Sequence, residues 1–427
     1  MTSGLRLVFV TLFFATCFVF VLSVSVFRPE TNDSLEYQKT AENLVNKNLF
    51  YSGDTNETID YRLFSKRTIG YPVFLVFQNN TTWIVGVASV FLVLLNFFVG
   101  LGLLGNLTHK KEASWVFSFL YLLNVPLLLH TSFVMADLLL TSIVCLAVLV
   151  YYHDRVLQKQ KIKILSLFWC LGLLVKPIIS PSILLSPFLF LHLKHKLKNT
   201  FLVTLLPVLV FFSFSFFNQK QTGIFEYCSI STINLGQYNS KLLVSEKFGY
   251  DSAQSYASRN EFSVPRNKKE YVKYGREVKS LSAKTILSNW PSYLKIHVLG
   301  SIKMLLDPGR FELYSFLGIK PAAFSLTEMI YAKDWQKLKR FMFSNFGVLF
   351  VFVVLFVLNV LKLFAFFLGV RGLKKRRFVA FVFLYFFVIV GPVGAARFML
   401  PISVLYLVFC SIGWYRALYF FQKSSEG

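Results

Sequence analysis

Residues 82–107 read TWIVGVASVFLVLLNFFVGLGLLGNL, from Thr82 to Leu107, without one charged side chain. The run exceeds the ~20 residues that a helix needs to cross a bilayer. Inside lipid each backbone amide must bond within its own segment, so the run is read as a transmembrane helix. Moving outward, an earlier apolar run spans Leu7 to Val26, behind Arg6. It is longer than the ~7–15-residue apolar core of a secretory signal, and no small-residue cleavage site follows, so it is read as a retained helix. Downstream, apolar segments recur at Ser114–Leu129, Val134–Tyr152 and Ile164–Val175, then from Pro181 to a basic end at Lys194, Lys196 and Lys198. Others follow at Phe201–Phe217, Asn345–Leu368, Phe378–Val390 and Phe398–Tyr415. The pattern predicts an all-α polytopic membrane protein of about ten transmembrane helices.

Composition agrees. Of 427 residues, 55% are hydrophobic and only 15% charged, against roughly 25% charged in a soluble domain. The net charge of +24 would suggest nucleic acid in a soluble protein. Here it collects in short loops such as His109-Lys110-Lys111, Arg155–Lys163 and Arg371–Arg377, and at Arg416 and Lys423, as cytoplasmic loops do. No nucleic-acid partner is expected. There is no Walker sequence and no zinc-finger spacing, and none of the five cysteines forms a C-x-x-C pair. Neither a metal site nor a disulfide framework is expected.

Charge parity puts the N-terminus inside and the polar stretch Asn32–Phe77 outside. Three units follow: an N-terminal membrane module over 1–217 with its first outer loop at 28–81, an outer region over 218–343, and C-terminal membrane helices over 344–427. The outer region is itself basic, with Arg259, Arg266, Lys268, Lys269, Lys273, Arg276 and Lys279. Loops beyond ~60 residues translocate largely regardless of charge. Asn267–Lys284 reads as a solvated or interfacial helix, and Tyr293–Leu306 as an amphipathic helix on the membrane surface. Trp290-Pro291 and Asp307-Pro308-Gly309 read as breaks.

Polar groups gather on the expected outer face. Asp33 follows the first helix closely; it reads either as an N-cap for a helix over Ser34–Val45 or as a general base at the membrane boundary. Asp137 opens an apolar run, so it either caps that helix or faces a cavity or partner. Lys176, before Pro177, either snorkels or faces an anion. Arg67 and Arg397 break the inside bias of the short loops, and Arg suits bidentate phosphate recognition. Two carboxylates, two Arg and a Lys on one face suit transfer from a phosphate-linked donor, with a carboxylate taking a hydroxyl proton and cations holding the departing phosphate.

The order of these residues resembles a known family. Asp33, Tyr37 and Ala41 are followed by Arg67-x-x-Gly70-Tyr71-Pro72, then Asp137, Gly172–Pro177 and Arg397–Pro401. This is similar to the GT-C superfamily of integral-membrane glycosyltransferases, nearest the bacterial branch related to protein O-mannosyltransferases and lipid A aminoarabinose transferase. Ile69 stands where that branch usually has Pro, which alters the turn more than the chemistry. The resemblance implies inverting transfer of a sugar from a polyprenyl-phosphate donor to a hydroxyl on a glycan, lipid or protein, at the outward face of a bacterial inner membrane. It implies Asp33 as catalytic base, Asp137 orienting the acceptor or the base, and Arg67, Lys176 and Arg397 on the donor phosphate. Tyr37, Tyr71 and Pro72 would shape the loop or the acceptor side. No metal and no cofactor are implied, since the lipid-linked sugar phosphate is itself a substrate. Burial near apolar loop residues should raise the Asp33 pKa above its reference of ~3.9.

Three rivals remain on the sequence. A lipid-linked sugar flippase would place charges mid-helix and use broken helices in paired halves. A surface-polysaccharide polymerase or ligase would also carry a large outer loop. In a structural assembly protein the outer charges would be incidental.

Overall fold

Apolar sequence of this length can satisfy its backbone only as helix, and the computed structural model is built accordingly. It describes residues 3–27, 31–78, 82–108, 110–153, 156–184, 197–249, 252–253, 255–256, 264–318, 335–336, 339, 346–371 and 377–425. Among these, the helices are α1 Ser3–Leu22, α2 Asn32–Lys47, α3 Gly70–Val76, α4 Thr82–Leu107, α5 Lys111–Leu122, α6 Val125–Leu129, α7 Asp137–Tyr152 and α8 Gln158–Val175. They continue with α9 Leu197–Thr222, α10 Ile230–Asn234, α11 Lys241–Phe248, α12 Lys268–Ser288, α13 Trp290–Leu306, α14 Arg310–Leu317, α15 Phe346–Val370, α16 Arg377–Val390 and α17 Ala396–Ser425. Extended pairing among the described residues amounts to one isolated bridge, Tyr51 to Phe64.

The chain is a helical polytopic membrane protein. Among the described residues, five helices are long and apolar enough to cross a bilayer: Arg6–Ser25, Trp83–Leu107, Val203–Thr222, Phe346–Val370 and Ala396–Phe420. A sixth span is possible if the bent pair Lys111–Leu122 and Val125–Ser132 is one crossing. Asp137–Tyr152 and Phe378–Val393 are shorter apolar helices. Each expected span corresponds to helix here, Ser114–Leu129 to two helices, except the one beginning at Pro181, which is described only to Leu184. Among the described residues five or six of them, against about ten expected, are long and apolar enough to cross a bilayer.

Similar hydropathy does not mean similar position. The apolar window of α17 is 83% buried, whereas those of α1 and α15 are 17% buried, so α17 is the central post and the other two line the rim. It packs against α15, α7, α5 and α4. Two glycines permit the closest of these contacts. A Cβ on Gly369 would lie 2.0 Å from Phe409 O, and one on Gly413 1.8 Å from Ala365 O, so the backbones of α15 and α17 touch.

Two expectations change. The segment Ser114–Leu129 is not one helix: it bends by 58° between α5 and α6, where Pro126 occupies the first turn of α6 and cannot continue the preceding hydrogen-bond ladder. Lys159, Lys161 and Lys163 are not loop residues but lie in the opening turns of α8, because lysine favours helix nearly as well as leucine. Arg155, Lys194, Lys196 and Arg259 lie outside the described residues.

The two polar regions dock on each other. Tyr61 N donates to Pro265 O at 2.9 Å. Tyr271, Tyr274 and Val278, at helical spacing on α12, pack against Tyr61 and Ile224. Glu226 accepts Tyr271 Oη at 2.6 Å, Thr232 Oγ1 at 2.8 Å and Lys279 Nζ at 3.0 Å.

Candidate active site

α2 is started by Thr31, whose hydroxyl accepts Ser34 N at 3.1 Å. Thr31 rather than Asp33 is therefore the cap, which frees the Asp33 carboxylate for other partners. Arg67 Nη2 donates to Asp33 Oδ1 at 2.6 Å, and Arg397 Nη2 to Asp33 Oδ2 at 2.5 Å. One turn along α2, Glu36 accepts Arg67 Nε at 2.8 Å and Lys66 Nζ at 2.6 Å. The result is a chain of charge-assisted bonds from Lys66 through Glu36, Arg67 and Asp33 to Arg397. The Arg67 guanidinium also lies 5.0 Å from the centre of the Tyr37 ring, a favourable cation–π separation.

Local structure explains how the loop delivers Arg67. Asn43 Nδ2 on α2 donates to Tyr51 O at 2.8 Å and Gly53 O at 2.9 Å, folding the loop back along the helix. Ser65 then turns the chain with φ of 51°, in the left-handed region. Ile69 takes the N-cap position of α3. A Cβ on Gly70 would lie 2.7 Å from both C and O of Leu174, so only glycine lets α3 begin directly on the end of α8. Tyr71 is buried edge-on to Tyr37 at 4.8 Å. Pro72 sits in the first turn of α3, where a helix has no partner for its N–H.

α8 ends beside this contact, and Lys176 follows. Its ammonium pairs with Asp137, the first residue of α7. Asp137 makes no side-chain cap bond and is 2% exposed, so it is an ion-pair partner and not a cap. Lys176 correspondingly turns inward rather than snorkelling. Thr141, one turn on, donates to Leu400 O at 2.9 Å and ties α7 to α17.

Arg397 is the second residue of α17. Asp307 Oδ2 accepts the N–H of Ala396 at 2.8 Å, and Asp307 Oδ1 that of Gly309 at 3.1 Å. The Asp307-Pro308-Gly309 segment is thus more than a break: it fastens the start of the central helix. The Arg397 guanidinium lies 5.6 Å from the Phe311 ring and 5.3 Å from the Phe398 ring.

The chain therefore brings Asp33, Arg67 and Arg397 into direct contact. Asp137 and Lys176 form a second pair, within range of the Arg397 charge. Burial pushes the Asp33 carboxyl up, as expected, but the charges of Arg67 and Arg397 and their hydrogen bonds outweigh it. The group is held well below the usual carboxylate range, not above it. The sequence reading overlooked Glu36 and Lys66, although they stand three residues after Asp33 and next to Arg67. It overlooked Asp307 as a cap, and it had no signal for Glu312.

Between α7, α8 and α16 lies a nearly wholly apolar cavity of about 130 Å³, lined among others by Leu140 and Val144 of α7, Trp169 and Gly172 of α8, Ile179, and Phe386 of α16. Among the described residues no group of three or more His, Cys, Asp or Glu side chains is placed to hold a metal ion.

No family model matches the chain, and no curated protein matches it. Among solved structures, it is similar to the archaeal oligosaccharyltransferase AglB from Archaeoglobus fulgidus, in complex with an inhibitory peptide and a dolichol-phosphate. The TM-score is 0.49 and the identity 14%, over 97% of this chain and 51% of that one, so the chain spans about half that protein's length. It is also similar to ArnT from Cupriavidus metallidurans bound to undecaprenyl phosphate, with a TM-score of 0.39 and 13% identity over 97% of this chain and 78% of that one.

Proposed function

We propose that the chain is a GT-C-type membrane glycosyltransferase that moves a sugar from a polyprenyl-phosphate carrier to an acceptor hydroxyl at the outer face of the membrane, with inversion. The observation that carries this reading is the Asp33 carboxylate held between Arg67 and Arg397. As it stands, Asp33 is a poor base because two guanidiniums stabilise its charge. A donor phosphate competes for those same guanidiniums. As it takes them, Asp33 loses its counter-charges and becomes more basic where a base is needed. The acceptor oxygen then attacks the anomeric carbon from the face opposite the phosphate and gives its proton to Asp33. The bond from the anomeric carbon to the phosphate oxygen breaks, and its electron pair stays with the phosphate, facing Arg67 and Arg397.

Lys176, held by Asp137, adds a further cation at this end. The apolar cavity between α7, α8 and α16 supports a place for the isoprenoid tail, since its lining includes Leu140, one turn after Asp137 on α7, and Gly172, one turn before Lys176 on α8. The test is transfer from polyprenyl-phosphate sugars by the purified protein in proteoliposomes. Transfer by the wild type and its loss in Asp33→Asn are expected. A folded wild type that transfers no sugar from such donors overturns the reading.

A second reading, movement of a lipid-linked sugar across the bilayer, draws on one observation. Lys362 is buried within the spanning helix α15, with its ammonium 3.3 Å from Asn359 Oδ1, and intramembrane cations often mark pathways. Translocation of a lipid-linked sugar without glycoside formation in the same vesicles supports this second reading instead.

A further inference from the structure

Arg397 has a second carboxyl near it. Glu312 lies on α14, next to Phe311, the residue whose ring receives the Arg397 guanidinium. Glu312 is 0% exposed. Apart from its own backbone N–H, neither of its carboxyl oxygens has a hydrogen-bond partner among the described residues. Arg397 Nε is also buried without a partner, and so is His130 Nε2. The turn carrying His130 packs against α14 through Leu129, Phe133 and Phe316.

The charged groups that act on Glu312 are Asp307 before α14, Arg397 on α17 and Asp137 on α7; His130 is the titratable group on the adjoining turn. Burial pushes the Glu312 carboxyl up to about 8, with Asp307 adding to the rise and Arg397 opposing it. At neutral pH it is therefore an uncharged acid. Unbonded polar atoms buried on neighbouring elements are costly and uncommon. Here a donor, Arg397 Nε, and an acceptor, Glu312, are both left over, and the Arg397 charge acts on the Glu312 carboxyl.

We propose that Glu312 is a positioning residue for Arg397: its carbonyl oxygen accepts the Arg397 Nε–H when a lipid phosphate draws the guanidinium away from Asp33. A neutral acid orients the guanidinium without cancelling its charge, so the full charge is left for the phosphate. An ionised Glu312 would instead pair with Arg397 and compete with the phosphate. The proposal rests on the transferase reading, because it assumes that a polyprenyl phosphate binds at Arg397.

The test measures binding of farnesyl phosphate to the full-length protein in nanodiscs between pH 6 and pH 9.5, for wild type, Glu312→Gln and Glu312→Leu. Gln keeps the carbonyl acceptor but cannot ionise, and it matches the neutral acid in shape; Leu removes the acceptor. Relative to Glu312→Gln, wild-type affinity should fall by about tenfold as the pH rises past 8, the worth of one charge-assisted interaction. Glu312→Leu should bind about tenfold more weakly than Glu312→Gln at every pH, the worth of one hydrogen bond to a charged group. In transfer assays the same differences should fall on KM for the donor and leave kcat within a few-fold. Identical pH profiles for wild type and Glu312→Gln, with farnesyl phosphate bound, overturn this proposal alone. No binding of farnesyl phosphate by any of the three proteins at any pH overturns it together with the donor reading.

Discussion

The Arg397 charge acts on both Asp33 and Glu312, and burial raises the proton affinity of each. They end in opposite states. Asp33 takes one guanidinium on each oxygen and stays ionised, although most of its side chain is buried, with 22% exposed. Glu312 has no exposure and no bonded cation, and keeps its proton to about pH 8. The difference teaches that depth alone does not set the charge of a carboxyl in this site; bonded donors do. One arginine can thus serve an ionised group and a neutral one.

The largest expected effect separates the two carboxyls by chemistry. Asp33→Asn should lower transfer by about 10²- to 10⁴-fold, the usual worth of a general base, measured as glycoside formed per minute in proteoliposomes. Activity that survives this change in folded protein ends the base assignment. Next comes the neighbouring pair. Asp137→Asn leaves Lys176 buried without its counter-charge and should destabilise the protein by about 3–5 kcal/mol, whereas the double change Asp137→Leu with Lys176→Met should recover most of that loss. Unfolding in detergent measures both; equal losses would show that the two residues are not coupled.

Glu312 gives a smaller effect with a defined sign. Its folded pKa of about 8 lies above its ordinary value of 4.5. Between those values the unfolded chain has released the proton and the folded chain keeps it, so wild-type stability is complete below pH 4.5 and is lost as pH rises toward 8. Glu312→Gln should remove this slope and exceed the wild type by roughly 3 kcal/mol at pH 7. Parallel stability curves from pH 4 to pH 9 would contradict the neutral state of Glu312. The smallest change tests the division of labour in α2. Thr31→Ala should cost about 1 kcal/mol, the value of one N-cap, read by thermal unfolding. A negligible shift would show that the Thr31 hydroxyl does not stabilise the start of α2.

Much of the architecture was legible because hydropathy is a local property. Thr82–Leu107 shows itself as a span without reference to any other residue, and the helix occupies those same residues. The break at Leu123-Asn124 was less visible, because the sequence around it stays apolar and only Pro126 marks it. Among the polar groups, Arg67 and Gly70 could be picked out from their loop. The reason for Gly70 could not, since it lies in the backbone of Leu174. The charge state of Asp33 was misjudged for a related reason. Its burial was readable from its apolar neighbours, but one of its two guanidiniums comes from 364 residues further along the chain. Glu312 carries no motif, and only the packing of α14 strips it of partners.

The bond from Asp307 to Ala396 N has a mechanical consequence. Asn359 Nδ2 grips the carbonyl of the same aspartate at 3.0 Å, so α13, α15 and α17 meet at one fixed corner. Arg397 is the next residue after that pinned amide. Its backbone is anchored at the residue before it, so the guanidinium reaches a different partner by turning its own side-chain torsions about that anchor. Fixing the pivot turns a long, flexible side chain into a pointer, and reaching a new partner then requires only a change of rotamer while the bundle stays still.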